Sequence, residues 1–158
     1  MKKVLIALDY GPTAQKVAEA GFEFAKSLNA QITLIHVIAD PMYYTSTAYS
    51  PIMGFDGYMN IGTLQPDIMD AIQKSSTDFL RKTKSHLGDS SIEILVAEGD
   101  AASAIIEAAA GMMADIIAIG SHSQKWLEAF VLGSVTEQVL RHTIIPLYII
   151  PTKKVTVK

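Results

Sequence analysis

Three near-continuous apolar runs, Val4 to Leu8, Ile32 to Ile38 and Ile116 to Ile119, constrain this chain more than any other feature. A strand with one wet face alternates apolar and polar side chains. A run that is apolar at almost every position is buried on both faces, as in the middle of a parallel sheet. Ile92 to Val96, interrupted by Glu93, reads as a strand nearer an edge, and Ile144 to Ile150 as the last strand. Between these runs apolar residues recur at helical spacing: Val17, Ala20, Gly21, Phe24 and Leu28; then Ile68, Ile72, Phe79, Leu80 and Leu87. Two more stripes follow, Ala102, Ile105, Ile106 and Ala109, then Val135, Val139 and Leu140. Strands alternating with helices, each crossover long enough for a right-handed return, predict a doubly wound parallel α/β sheet with helices on both faces. No linker or internal repeat divides residues 1–158, which read as one domain. A domain of that length buries roughly 70% of the surface that its unfolded chain exposes.

Pro146 falls inside the last apolar run, and a residue without an amide hydrogen is tolerated in a sheet where no neighbour needs that donor. The run therefore reads as an edge strand. An edge carrying Ile144, Ile145, Leu147, Ile149 and Ile150 needs covering, and the simplest cover is the same strand of a second copy, giving a homodimer. The alternative is a carboxyl-terminal tail, Thr152 to Lys158, folded over that edge.

Composition removes several function classes. There is no cysteine, hence no disulfide, thiolate nucleophile or cysteine-type zinc site, in keeping with a reducing cytoplasm. The five-residue apolar run after Met1-Lys2-Lys3 is too short for a signal peptide, and no stretch approaches the roughly 18 apolar residues of a membrane span. A net charge of -3 without a basic stripe argues against nucleic acid. The stretch from Pro41 to Pro66 holds four of the six tyrosines and only one charge, Asp56. Disordered segments are usually more charged, so it reads as a loop packed near the pocket mouth or the dimer partner; an insertion with no duty is the other reading.

In an open parallel sheet the ligand site lies where neighbouring strands send their connections to opposite faces. If the first strand neighbours Ile116 to Ile119, the pocket is lined by Asp9 to Thr13 and by the loop from Gly120. That loop runs Gly120-Ser121-His122-Ser123-Gln124-Lys125-Trp126 and reaches its helix at Gly133-Ser134, with Ser134 read as the N-cap. Bare amides at the positive end of a helix dipole suit an anion, or merely a cap. Asp9 either hydrogen-bonds a ligand or caps the turn at Gly11-Pro12. His36 reads as satisfying a local backbone partner, since no serine sits in a Gly-x-Ser-x-Gly elbow, whereas His122 lies beside the loop. His86 and His142 fall late in helices, and no two histidines have metal-ligand spacing. Trp126, Leu127, Phe130 and Val131 read as the underside of the loop or a dimer contact, and Met112 and Met113 as core filler.

Over its full length the chain resembles the universal stress protein family. The resemblance is carried by Val4-Leu5-Ile6-Ala7-Leu8-Asp9, Ile35-His36-Val37, Gly99-Asp100-Ala101 and the run from Asp115 through Gly120-Ser121-His122. It closes with Leu132-Gly133-Ser134-Val135-Thr136, Val139-Leu140-Arg141-His142 and Pro146. The resemblance implies a five-stranded, Rossmann-like sheet of the adenine nucleotide hydrolase type, in order 3-2-1-4-5, with dimers joined through the last strand. In one branch of the family it also implies ATP binding, with magnesium only through the bound nucleotide. That branch carries Gly, two residues, Gly, nine residues, then Gly and Ser or Thr. Here Gly120, Gly133 and Ser134 keep the spacing and Ser123 replaces the second glycine. By the same resemblance Asp9 faces the adenosine, Val37 lies near the base and Ser134 meets phosphate; His122 and Val135 complete the candidate binding residues.

The expected function is thus a cytoplasmic regulatory dimer that binds ATP, weakly, and signals to a protein partner that the sequence does not name. A ligand-free interaction module is the alternative, and Ser123 is its argument. A weak nucleotide hydrolase comes last, because no general base beside a water and no carboxylate set for Mg²⁺ can be picked out.

Overall fold

A computed structural model describes residues 1–39, 66–121 and 132–152. The elements run β1 (Lys3–Ala7), α1 (Ala14–Ser27), β2 (Gln31–Ile38), α2 (Pro66–Leu87), β3 (Glu93–Glu98), α3 (Ala101–Gly111), β4 (Ile116–Gly120), α4 (Ser134–His142) and β5 (Leu147–Ile150). The five strands form one parallel sheet in the order β3-β2-β1-β4-β5. This is the predicted fold and strand order.

The pleat explains why the central runs are apolar throughout. Val4, Ile6 and Leu8 pack with Val17, Ala18 and Ala25 of α1 and Leu80 of α2, whereas Leu5 and Ala7 pack with Ala102, Ile105 and Ala109 of α3 and Val139 of α4. Helices α1 and α2 thus cover one face and α3 and α4 the other, so successive side chains of β1 feed different cores. At its starting end the sheet is tied by Asp115, whose Oδ2 accepts the Lys3 amide at 2.8 Å.

β3 lies at one edge, as Glu93 suggested, and none of its residues is fully buried. β5 lies at the other edge, but it begins after Pro146 rather than around it. The Pro146 carbonyl accepts the Ile117 amide at 3.0 Å, and Ile144 is wholly exposed. Proline and the residue before it lead into the strand, as the lost amide and fixed φ dictate. Two helical stripes shift as well. Ala18 and Ala25 are buried in α1 while Leu28, its C-cap, is 39% exposed, and Leu140 of α4 is half exposed. Met112 packs on the core, but Met113 is exposed with a φ of 56°, in the turn that leaves α3, and is not core filler.

The expectations placed on Pro41 to residue 65, on His122, Ser123, Lys125, Trp126, Leu127, Phe130 and Val131, and on the tail beyond Thr152 lie outside the described residues. Among the described residues no helix is long and apolar enough to cross a membrane.

Candidate functional site

β1 sits between β2 and β4, its own crossover passes on the α1 face, and the crossover into β4 passes on the α3 face. The connections therefore part at the carboxyl ends of β1 and β4, where a sheet of this kind leaves a crevice. A cleft of about 560 Å³ of empty space, part of it open to solvent, lies there. Its floor is Ala7 of β1 with Leu8 and Asp9 that follow it, Ile35, His36 and Val37 from β2, and Ile119 and Gly120 from β4. Val17 of α1, Ala101 and Ile105 of α3, and Val135 and Thr136 of α4 form the walls. The lining is mostly apolar with few polar groups, as in small-molecule sites.

Asp9 leaves the end of β1 and turns back on its own loop, its Oδ1 accepting the Gly11 amide at 3.0 Å. Its Oδ2 is buried without a hydrogen-bond partner among the described residues. Burial pushes this carboxyl up to about 6, more than the Gly11 amide pulls it down. His36 of β2 places Nδ1 at 2.8 Å from the Leu8 carbonyl oxygen. A carbonyl can only accept, so Nδ1 carries the proton and the ring presents Nε2 as an acceptor. Burial pushes the imidazole down to about 4, so it is neutral at pH 7. Tyr10 meets the His36 ring edge-on at 4.3 Å between centroids and Phe79 at 4.5 Å; burial holds its phenol well above the usual range.

The opposite rim is held by backbone. The Thr136 hydroxyl donates to the Gly120 carbonyl at 2.7 Å, and the Gly133 amide donates to the Ser121 carbonyl at 2.7 Å. Ser121 also donates its amide to Ile150, and its Oγ accepts the Thr152 amide at 3.0 Å, so the end of β5 is fastened to the same rim. Gly133, not Ser134, is the N-cap of α4, and no side chain caps that helix. Gly133 has φ -57°, open to any residue. What a side chain would change there is space, not dihedral strain.

The sequence profile of the Universal stress protein family matches residues 1–151. The chain belongs to the universal stress protein family. It is 25% identical to Universal stress protein MJ0577 of Methanocaldococcus jannaschii, over 96% of this chain and 96% of that one. It is 26% identical to Universal stress protein A of Salmonella typhi, over 96% and 95%. Among solved structures, MJ0577 superposes with a TM-score of 0.72 at 21% identity, covering 98% of each chain. UspA of Lactobacillus plantarum gives 0.70 at 19% identity, over 94% and 97%. A universal stress protein solved in complex with cAMP gives 0.57 at 15% identity, over 94% and 95%. At these identities the structural matches speak for the fold.

Against the family motif, Asp9, Val37, Gly120 and Val135 come together as lining of one cleft, while Gly133 and Ser134 form the start of α4 just outside that lining. His122 and Ser123 lie outside the described residues. Thr136, Ala101 and Ile105 line the cleft without having been singled out for it, although Ala101 and Thr136 belong to the family-like runs Gly99-Asp100-Ala101 and Leu132 to Thr136. His36 has the backbone partner expected of it and also faces the cleft.

Proposed function

We propose that this universal stress protein is a regulatory binding module that takes an adenine nucleotide, ATP, in the cleft at the carboxyl ends of β1 and β4, weakly and without significant turnover. The observation that carries the reading is Asp9: this residue lines a mostly apolar cleft, and its buried carboxylate oxygen, with no partner among the described residues, is costly unless a ligand supplies a donor. The start of α4 beside Val135 supplies a dipole end worth roughly 0.3 to 2 kcal/mol to a phosphate. A family relative in complex with cAMP supports an adenine nucleotide as the class of ligand. Magnesium would enter only with the nucleotide. Against catalysis, the described cleft lining offers no lysine, arginine or second carboxylate to offset charge on a transferring phosphoryl group.

Ser123 in place of the second motif glycine should cost about 1 to 3 kcal/mol in strain or lost approach, a loss of roughly 5- to 150-fold in affinity. Calorimetric titration with ATP is the test. Wild type should bind in the micromolar range or more weakly, Ser123→Gly more tightly, and Gly133→Val not at all. If none of the three binds, the ligand-free interaction module replaces this reading.

A further inference from the structure

The two titratable side chains on the floor of the cleft are Asp9, just after β1, and His36 from β2. The residues that line it from α1, α3, β4 and α4 are Val17, Ala101, Ile105, Ile119, Gly120, Val135 and Thr136, none of them charged. Asp100, at the start of α3, commits its carboxylate to Ser103, and the Tyr10 phenol beside Asp9 stays protonated. His36 is held neutral by burial, which outweighs the opposite pull of its bond to the Leu8 carbonyl. Asp9 is therefore the one group in the described cleft whose charge can change across mildly acidic pH.

Its geometry leaves two competing ways to satisfy Oδ2. Oδ1 is occupied by the Gly11 amide, so relief for the buried oxygen comes either from a proton on Oδ2 or from a donor on a ligand. The two compete, because a protonated oxygen is a far weaker acceptor than a carboxylate oxygen. We propose that ligand binding in this cleft is coupled to loss of the Asp9 proton: an occupant that donates a hydrogen bond to Oδ2 engages only the carboxylate, the displaced proton passes to solvent, and acidification releases the ligand. The inference rests on the adenine-nucleotide reading and adds to it a dependence on pH that the phosphate end does not supply. The occupant's chemistry follows: the group over Asp9 is a neutral hydroxyl or amine donor, not an acceptor.

Adenosine is the probe, because it lacks the phosphate whose own titration near pH 6 would mask that of Asp9. Calorimetry of the full chain should show affinity level from about pH 7 to 7.5 and about tenfold weaker at pH 5, with close to one proton released per binding event at the lower pH. Carbon-detected NMR of the Asp9 carboxyl should show a titration midpoint near 6 that moves down when adenosine is added. Asp9→Asn should bind adenosine equally at both pH values. Equal or tighter binding by wild type at pH 5, or an Asp9 midpoint that adenosine leaves in place or raises, overturns the coupling and leaves the nucleotide reading intact. Failure of adenosine to bind at any pH overturns the coupling, while the nucleotide reading stands or falls on the ATP titration.

Discussion

The hydroxyl of Thr136 and the carbonyl of Gly120 are joined by a 2.7 Å hydrogen bond that fixes the first turn of α4 to the last residue of β4. Thr136 is buried, so the bond is shielded, and it sets the distance between the floor and one wall of the cleft. Replacing Thr136 by Val keeps the shape and removes the donor, which should cost about 1 to 3 kcal/mol because the carbonyl loses its partner. Thr136→Ser should recover much of that loss. Urea unfolding of the two variants checks it, and equal midpoints for both would show that the bond contributes nothing.

A second relationship ties α1 to the central strand. A Cβ on Gly21 would lie 3.0 Å from Cδ1 of Ile6 and 3.2 Å from its Cγ1 and Cγ2. Gly21→Ala should change little, because about 1 kcal/mol of helix propensity offsets a shift of a few tenths of an ångström in Ile6. Gly21→Leu has no room and should destabilise by about 1 to 3 kcal/mol. Thermal unfolding should separate the pair, and a leucine variant as stable as the alanine one would mean that the α1 contact is loose.

Asp9 and His36 should act on stability with opposite signs. Asp9 is raised in the fold, so its contribution is present below the ordinary carboxyl value near 3.8 and is lost as pH rises through about 6. His36 is lowered, so its contribution is present above 6.5 and is lost as pH falls through about 4. Between those limits the folded state holds the Asp9 proton that the unfolded state releases, and lacks the His36 proton that the unfolded state binds, so the two slopes nearly cancel. Asp9→Asn should expose the His36 slope, with stability climbing by about 1 kcal/mol per pH unit from pH 4 to 6.5. His36→Gln should expose the reverse slope over pH 4 to 6. Parallel flat profiles in both variants would mean that neither group is perturbed by the fold.

The sheet was legible in the sequence because burial on both faces leaves an unbroken apolar record, as in Val4 to Leu8 and Ile32 to Ile38. Glu93 marked β3 as an edge for the converse reason. Element ends were less legible. Pro146 looked like a strand residue because the apolar run continues through it, although its missing amide fits only the lead-in. Met113 was read as core from its type, whereas its left-handed backbone turns it outward at the end of α3. The site was half legible. Asp9 and Gly120 follow from their places at the ends of apolar runs, and Val37 and Val135 from the family resemblance, but Thr136 and Ile105 enter the cleft through helix phase against a distant strand, which no local pattern records.

The last prediction concerns β5. Its faces are already covered: Tyr148 stacks on Phe24 of α1 with centroids 4.0 Å apart and planes 3° from parallel, and Leu147 and Ile149 pack on the other core. In a parallel ladder the amide and carbonyl of one residue point the same way, and those of alternate residues point to opposite sides. The Pro146 and Ile150 carbonyls face β4, where they accept from Ile117 and Ser121, so Leu147 and Ile149 turn their backbone groups toward the edge, where no described strand pairs. That edge, with the wholly exposed Ile144 beside it, is a template for another strand. A second copy pairing antiparallel through Leu147 and Ile149 would satisfy both edges and bury both Ile144 side chains, since a two-fold axis brings the same patch together. Light scattering of the intact protein should therefore report a dimer. Ile144→Asp removes apolar area and should weaken dimerisation by about tenfold or more, while its unfolding stays close to wild type because the side chain is wholly exposed. A monomer at micromolar concentration, or a dimer indifferent to Ile144→Asp and to Ile149→Pro alike, would place the contact elsewhere on the molecule.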